Sequence, residues 1–179
     1  MLILFEKCKN KVLKLYRCSL FRRLTKCKCE NLNIFGKIYV INKNIECGKN
    51  CLIMPGVQFF GDGKIILGDR VSIGNNTILY SSKGGGGITI GNNVQIAAHS
   101  YIIDSDHGTK AGELIVSQPN TVSPVVVEDD VWISAGCKVL KGSAIRRGAV
   151  IGAASLVKGE IPENAIAVGI PAKVKKYRE

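Results

Sequence analysis

Residues 127–157 read VEDDVWISAGCKVLKGSAIRRGAVIGAASLV, and an aliphatic residue returns there at every sixth position: Val127, Ile133, Val139, Ile145, Ile151 and Val157. A period of six fits neither a helix nor a simple alternating strand over this length. It fits a solenoid of short strand-like faces and tight corners, in which the period residue points inward and stacks on its copy in the next coil. Working outward, the spacing recurs at Ile90, Ile96 and Ile102, at Leu67, Ile73 and Leu79, and at Ile41, Cys47, Ile53 and Phe59. The residue four places on is usually small or β-branched, as at Val71, Thr77, Val94, Ser100, Val131, Cys137, Ser143, Ala149 and Ser155. Glycine often follows the period residue directly (Gly68, Gly74, Gly91, Gly152), which suggests corners needing φ > 0. Ser134, Leu140 and Arg146 stand in that place elsewhere.

The rhythm breaks three times: by a two-residue slip after Phe59, by a Gly-rich insertion at Lys83 to Gly87, and at length from Asp104 to Ser123. The chain is therefore expected to be mainly β: a basic amphipathic helical segment at 1–32, a parallel β-helix at 33–161 with a loop at 104–124, and a tail at 162–179 packed on it. The helical segment places Leu2, Phe5, Val12, Leu15, Tyr16, Leu20 and Leu24 among lysines and arginines. Such a stripe either packs on the first coil or touches anionic lipid.

At 179 residues one main domain is expected, and 20 glycines with only 6 % aromatics favour repeated turns over a core of large rings. The net charge of +11 is uneven: residues 1–30 hold nine bases against two acids, and Lys173, Lys175, Lys176 and Arg178 close the sequence. Such ends attract anions. No nucleic-acid motif, P-loop or dinucleotide fingerprint accompanies the charge; Gly84 to Gly87 is a flexible insertion rather than a strand-to-helix phosphate turn. No apolar run spans a bilayer and no signal peptide is expected. The seven cysteines read as reduced thiols, with Cys47, Cys51 and Cys137 in apolar-periodic segments and Cys27 and Cys29 lacking a partner pair for a metal.

A break of this length in a solenoid is usually functional or disordered. It carries His107, one of two histidines, between Asp104 and Asp106. A neutral imidazole suits a general base, and a nearby carboxylate or carbonyl can fix its tautomer. His99 falls at a corner of the hexad 96–101 and reads as a solvated turn residue. Trp132, the only tryptophan, would stand outward, either as lateral packing between subunits or as the wall of a binding channel. Small residues at Ile151-Gly-Ala-Ala-Ser155, followed by Gly169-Ile-Pro-Ala-Lys-Val174, would let a ligand lie against the backbone.

Taken together, the hexads, the loop histidine, Val131-Trp132-Ile133 and these C-terminal motifs resemble the hexapeptide-repeat acyltransferases, in the branch of sugar and lipopolysaccharide O-acetyltransferases that includes maltose and galactoside acetyltransferases. The resemblance implies a left-handed β-helix with three hexads per triangular coil; spacing alone would not predict that hand, since ordinary parallel crossovers are right-handed. It also implies direct transfer of an acetyl group from acetyl-CoA to a carbohydrate hydroxyl in a cytoplasmic homotrimer, with active sites between subunits and no metal. His107 would be the general base, and a backbone N–H near Ala135 or Gly136 would stabilise the oxyanion. Acetyl-CoA would meet Trp132, Ala135, Gly136, Ala153, Ala154, Lys158, Lys173 and Lys176, although Ala154 replaces the usual glycine and Lys158 is shifted by one place. Acceptor contacts would come from Tyr80, Asp104, Asp106 and Glu113, and residues 1–30 would offer a peripheral contact to anionic membrane at its inner face. N-acetylation of an amino sugar and a non-catalytic β-helix scaffold stay open. The Arg-His-Pro motif of serine acetyltransferases is absent, and two histidines are too few for a three-histidine zinc carbonic anhydrase.

Overall fold

The computed structural model describes the backbone of residues 2–25, 27–84 and 86–179, and the side chains of these from Lys11 onward. The side chains of Leu2 and Phe5 of the expected stripe and of Lys7 and Lys9 of the basic set lie outside this description, as do Lys26 and Gly85 altogether.

The hexads form the three sides of a prism. The first side stacks Asn33–Ile34, Leu52–Ile53, Ser72–Ile73, Gln95–Ile96, Trp132–Ile133 and Val150–Ile151 as parallel strands. The second stacks Tyr39–Val40, Gln58–Gly61, Ile78–Ser81, Tyr101–Ile103, Lys138–Val139 and Leu156–Val157, and the third runs from Ile45–Cys47 to Glu160–Ile161. On the first side the inward column is isoleucine at every coil: Ile34, Ile53, Ile73, Ile96, Ile133 and Ile151, all buried. β-Branched side chains with few rotamers fill such a column at little entropic cost.

Two local expectations are corrected. Ile41 does not open the column; it is 63 % exposed, and Val40 takes the inward place in register with Phe59. The left-handed corner residues also lie three places beyond the period residue rather than one, as at Arg70, Asn76, Asn93, His99, Asp130, Gly136, Gly142, Gly148 and Ala154. His99 is an exposed corner residue of this kind. Glycine directly after the period residue serves close approach instead: a Cβ on Gly68 would come within 2.7 Å of the Gly91 backbone in the next coil.

Helix α1 (Leu2–Leu24) covers the open N-terminal end. Phe21 is buried with its ring centroid 5.7 Å from that of Phe59, the Cys18 thiol donates to the Leu32 carbonyl at 3.2 Å, and Arg22 Nη2 donates to the Cys29 carbonyl at 2.7 Å. Beneath the helix end, Cys27 and Cys29 do have neighbours, the thiols of Cys47 and Cys51. Burial first, and then Cys29, push the Cys51 thiol up to about 12, so it stays protonated. Among the described residues no group of three or more His, Cys, Asp or Glu side chains is placed to hold a metal ion.

At the other end, parallel stacking runs past residue 161: Ala165–Val168 pairs with Val150–Ile151 on the first side. The chain then reverses, and Lys173–Tyr177 pairs antiparallel with Ala165–Val168.

Phe21→Ala should therefore lower the unfolding free energy by about 3 kcal/mol, read from urea midpoints, whereas exposed Leu15→Ala should change it by less than about 0.5 kcal/mol. Ala154 holds φ +56°, a conformation that is costly for a residue with a Cβ, and its side chain is exposed. Ala154→Gly should then raise stability by up to about 1 kcal/mol in the same measurement; a loss of that size would show that the corner is not strained.

Candidate active site

Every extra residue in the coils leaves the prism at one edge. The segments 62–64, 82–87 and 104–124 all lie between a second-side strand and the following third-side strand, so they stack on one another. Asp104 ties them together. Its carboxylate accepts from Ser81 Oγ at 2.7 Å, from the Ser82 N–H at 2.8 Å and from the Gly87 N–H at 2.6 Å, while its own carbonyl accepts from the Ser123 N–H at 2.9 Å. Ser82 Oγ and Ser105 Oγ share a further hydrogen bond of 2.7 Å. Asp104 is wholly buried, which corrects its expected place among the acceptor contacts: its oxygens are engaged within the chain, where they fix two loops.

Ser105–Asp106 and Thr121–Val122 then pair antiparallel and bring the two ends of the long loop together. His107 follows at once, exposed at the mouth of a recess of about 210 Å³ lined by Tyr80, Tyr101, Ile103, Ser105, Asp106 and Asn120. Neither imidazole nitrogen is hydrogen-bonded to another described residue. Burial first, and then Tyr80, raise the Tyr101 phenol above its ordinary value, which keeps it a proton-bearing donor facing this recess. Asp106 pairs with Lys141 at 3.3 Å. Glu113 does not join the recess: it lies further along the loop, paired with Lys110 at 2.8 Å. The loop between is held by buried Gln118, which accepts from the Lys110 N–H at 2.8 Å and donates to the Glu113 carbonyl at 3.1 Å. This leaves Leu114, Ile115 and Val116 exposed at its tip.

Trp132 stands outward from the first side, 52 % exposed. It lines a different recess, of about 410 Å³, with Asn93, Gln95, Asp130, Val150 and Arg178, and this shares no residue with the recess of His107. Within one chain, therefore, the two expected halves of the site are not brought together. Ala135, Gly136, Ala153 and Ala154 stack at the corner between the first and second sides, where the Ala154 N–H donates to the Ala135 carbonyl at 2.8 Å. The Gly136 N–H donates to the Ala98 carbonyl at 2.9 Å, so it is not free for a ligand, whereas the Ala135 N–H has no partner among the described residues. Lys158 lies one corner further on, exposed, and Lys173 and Lys176 are exposed on the antiparallel final strand.

Tyr101, Asn120 and Arg178 were not singled out from the sequence as recess residues. Tyr101 could be found by laying the coils in register, since its strand places Ile103 opposite Tyr80. Arg178 could not, because its position beside Trp132 depends on the chain reversal that pairs it with Asp130 at 3.0 Å.

No protein-family model matches the chain. It is 34 % identical over 145 residues to WbbJ of Escherichia coli strain K12, named for O-acetyl transfer in lipopolysaccharide biosynthesis, an alignment that covers 75 % of this chain and 72 % of that protein. It is 31 % identical to WcaF of the same strain, named for acetyl transfer in colanic acid biosynthesis, across 74 % of this chain and 69 % of that one. Among solved structures it superposes on AntD, an N-acyltransferase from Bacillus cereus in complex with dTDP and coenzyme A, with a TM-score of 0.77 and 21 % identity over 90 % of this chain and 88 % of that one. That likeness bears on the fold alone, a left-handed parallel β-helix. By its likeness to these sequence relatives over about three quarters of its length, the chain belongs to the hexapeptide-repeat O-acetyltransferases, which use acetyl-CoA as co-substrate.

Proposed function

We propose that the chain transfers an acetyl group to a hydroxyl of a surface polysaccharide or its precursor, in a homotrimer whose active sites lie between subunits. The carrying observation is His107, free of internal hydrogen bonds at the mouth of a tyrosine-lined recess on the single edge where the solenoid extrudes its loops. The relatives named for lipopolysaccharide and colanic acid biosynthesis support the carbohydrate acceptor. The trimer is supported by incompleteness: Trp132 and the small-residue corner lie apart from His107 on the same prism, and both Trp132 and the loop tip Leu114 to Val116 expose apolar surface.

Acetyl-CoA supplies the activated acetyl group. His107, as neutral imidazole, takes the proton of the acceptor hydroxyl as its oxygen attacks the thioester carbonyl, and returns the proton to the departing thiolate. Tyr80, Tyr101 and Asn120 hold the acceptor by hydrogen bonds, with Asp106 at the rim. From the neighbouring subunit, Trp132 walls the acyl channel and the unpaired Ala135 N–H meets the negative charge that develops on the carbonyl oxygen. Ala153 and Ala154 let the pantetheine arm lie against the backbone, and Lys158, Lys173 and Lys176 face its phosphates. No cysteine serves as a nucleophile, since direct transfer needs no acyl-enzyme and no cysteine lines the recess of His107. Action on a glycan still under assembly supports a cytoplasmic enzyme working at the inner face of the membrane.

His107→Ala should lower acetylation of surface glycan by a factor of about 10² to 10⁴ while acetyl-CoA binding, read by thermal shift, is retained. Mass spectrometry should find the added acetyl removable by mild alkali, as an ester; an alkali-stable product would point to an amide instead. His107→Ala and Trp132→Ala chains, unfolded together and refolded in equal amounts, should regain about a quarter of wild-type activity if each site takes one residue from each of two subunits. No recovery above the separate variants would mean that the two residues do not meet across an interface.

A further inference from the structure

The N-terminal end of the solenoid carries a surface that the acetyl-transfer site leaves unused. Among the described side chains of helix α1, Cys18 and Phe21 are the ones buried against the first coils. Beside these contacts, Val12, Leu15 and Tyr16 are more than 60 % exposed and Leu20 and Leu24 are over a third exposed. The apolar surface continues onto the first coil through Phe35, Tyr39 and the outward-turned Ile41. Between helix and coil runs a groove of about 370 Å³ lined by Leu13, Tyr16, Leu20, Leu24, Ile38 and Val40. An apolar area of this kind, continuous over two elements, is unusual on a surface facing only water.

Charge decides what covers it. No acid occurs from Lys7 through Cys29, and exposed Lys11, Arg22, Arg23 and Lys28 surround the apolar residues. Lys14 sits over the Phe35 ring at 5.0 Å and Lys37 over the Tyr39 ring at 4.8 Å, so cations and apolar groups are interleaved rather than segregated. A second copy laid on this face would set cation against cation. An anionic bilayer would neutralise the cations at the headgroups and take Leu15, Tyr16 and Ile41 into the acyl boundary, each cation adding roughly fivefold to binding. No described helix is long and apolar enough to cross a membrane, so the 23-residue helix would lie along the interface.

We infer that this end, the outward face of α1 together with the outer edge of the first coil, is a docking surface for an anionic lipid bilayer. It gives the inner-membrane reading above a physical contact, but none of its residues lines either recess, so the two stand or fall separately. The test is co-sedimentation of the full chain with vesicles of phosphatidylcholine alone and of phosphatidylcholine with phosphatidylglycerol, at low and high salt. Binding to the anionic vesicles should be at least about tenfold stronger, should weaken with salt, and should fall about tenfold or more in Leu15→Ser/Tyr16→Ser and in Lys11→Glu/Arg23→Glu. All these side chains are exposed, so thermal midpoints should stay near wild type, as should acetyl transfer to soluble glycan. Equal binding to neutral vesicles, or binding unmoved by both variant pairs, overturns the inference. So does the absence of vesicle binding with a concentration-dependent doubling of particle mass by light scattering that the same variants abolish, which would assign the face to a second copy.

Discussion

The structure depends on one constraint, the backbone hydrogen bonds that join each coil to the next in register. Leu52 donates to Val71, Ser72 to Val94, Gln95 to Val131 and Trp132 to Ala149, each within 2.9 to 3.0 Å. Because the same place in each coil bonds the same place in the next, a residue cannot be added to a face without turning every later side chain inside out. Extra residues can leave only at a corner. The structure uses one corner for all of them, which keeps the other two free to stack left-handed residues and small side chains.

That economy creates the chemistry. Three insertions emerging at one edge lie against each other, and a loop needs internal ties to hold a geometry there. Asp104 supplies them at the base, its carboxylate accepting from both ends of the preceding insertion and its carbonyl from Ser123 at the far end of its own loop, and Gln118 supplies them near the tip. His107 sits between these two fixed points. A buried carboxylate with three donors is an anchor, and its sequence position three residues before the histidine is what made it look like a ligand contact.

The hexad pattern made the architecture legible, because period survives in a string of letters. Phase is less secure at a chain's first coil, where no preceding coil confirms it. Ile41 continued the count from Cys47 correctly and still points outward, since the first coil departs from strict hexads and puts Val40 inward. Glycine was legible as a marker of corners but not of its reason: Gly68 and its equivalents answer to the neighbouring coil's backbone, whereas φ > 0 falls two residues later and is often filled by Asn, Asp or His. His107, Tyr80 and Trp132 were findable because each sits at a break or stands outward. Tyr101 is findable once the coils are laid in register, whereas Asn120 and Arg178 are not, since they join recesses only through the loop's return and through reversal of the final strand.

The separation of His107 from Trp132 also constrains assembly. A contact that matches a loop edge on one copy to a flat face on another is heterologous: it uses two different patches and leaves one of each unfilled on a pair. Such a contact ends only by closing a ring, and a prism with three sides presents the edge and the face on different sides of one axis. In the homotrimer proposed above, closure at three copies would fill every patch and complete three identical sites at once. On that proposal a monomer would keep His107, its stacked corner and its tryptophan intact and still hold no complete site, so catalytic competence and assembly would be one equilibrium.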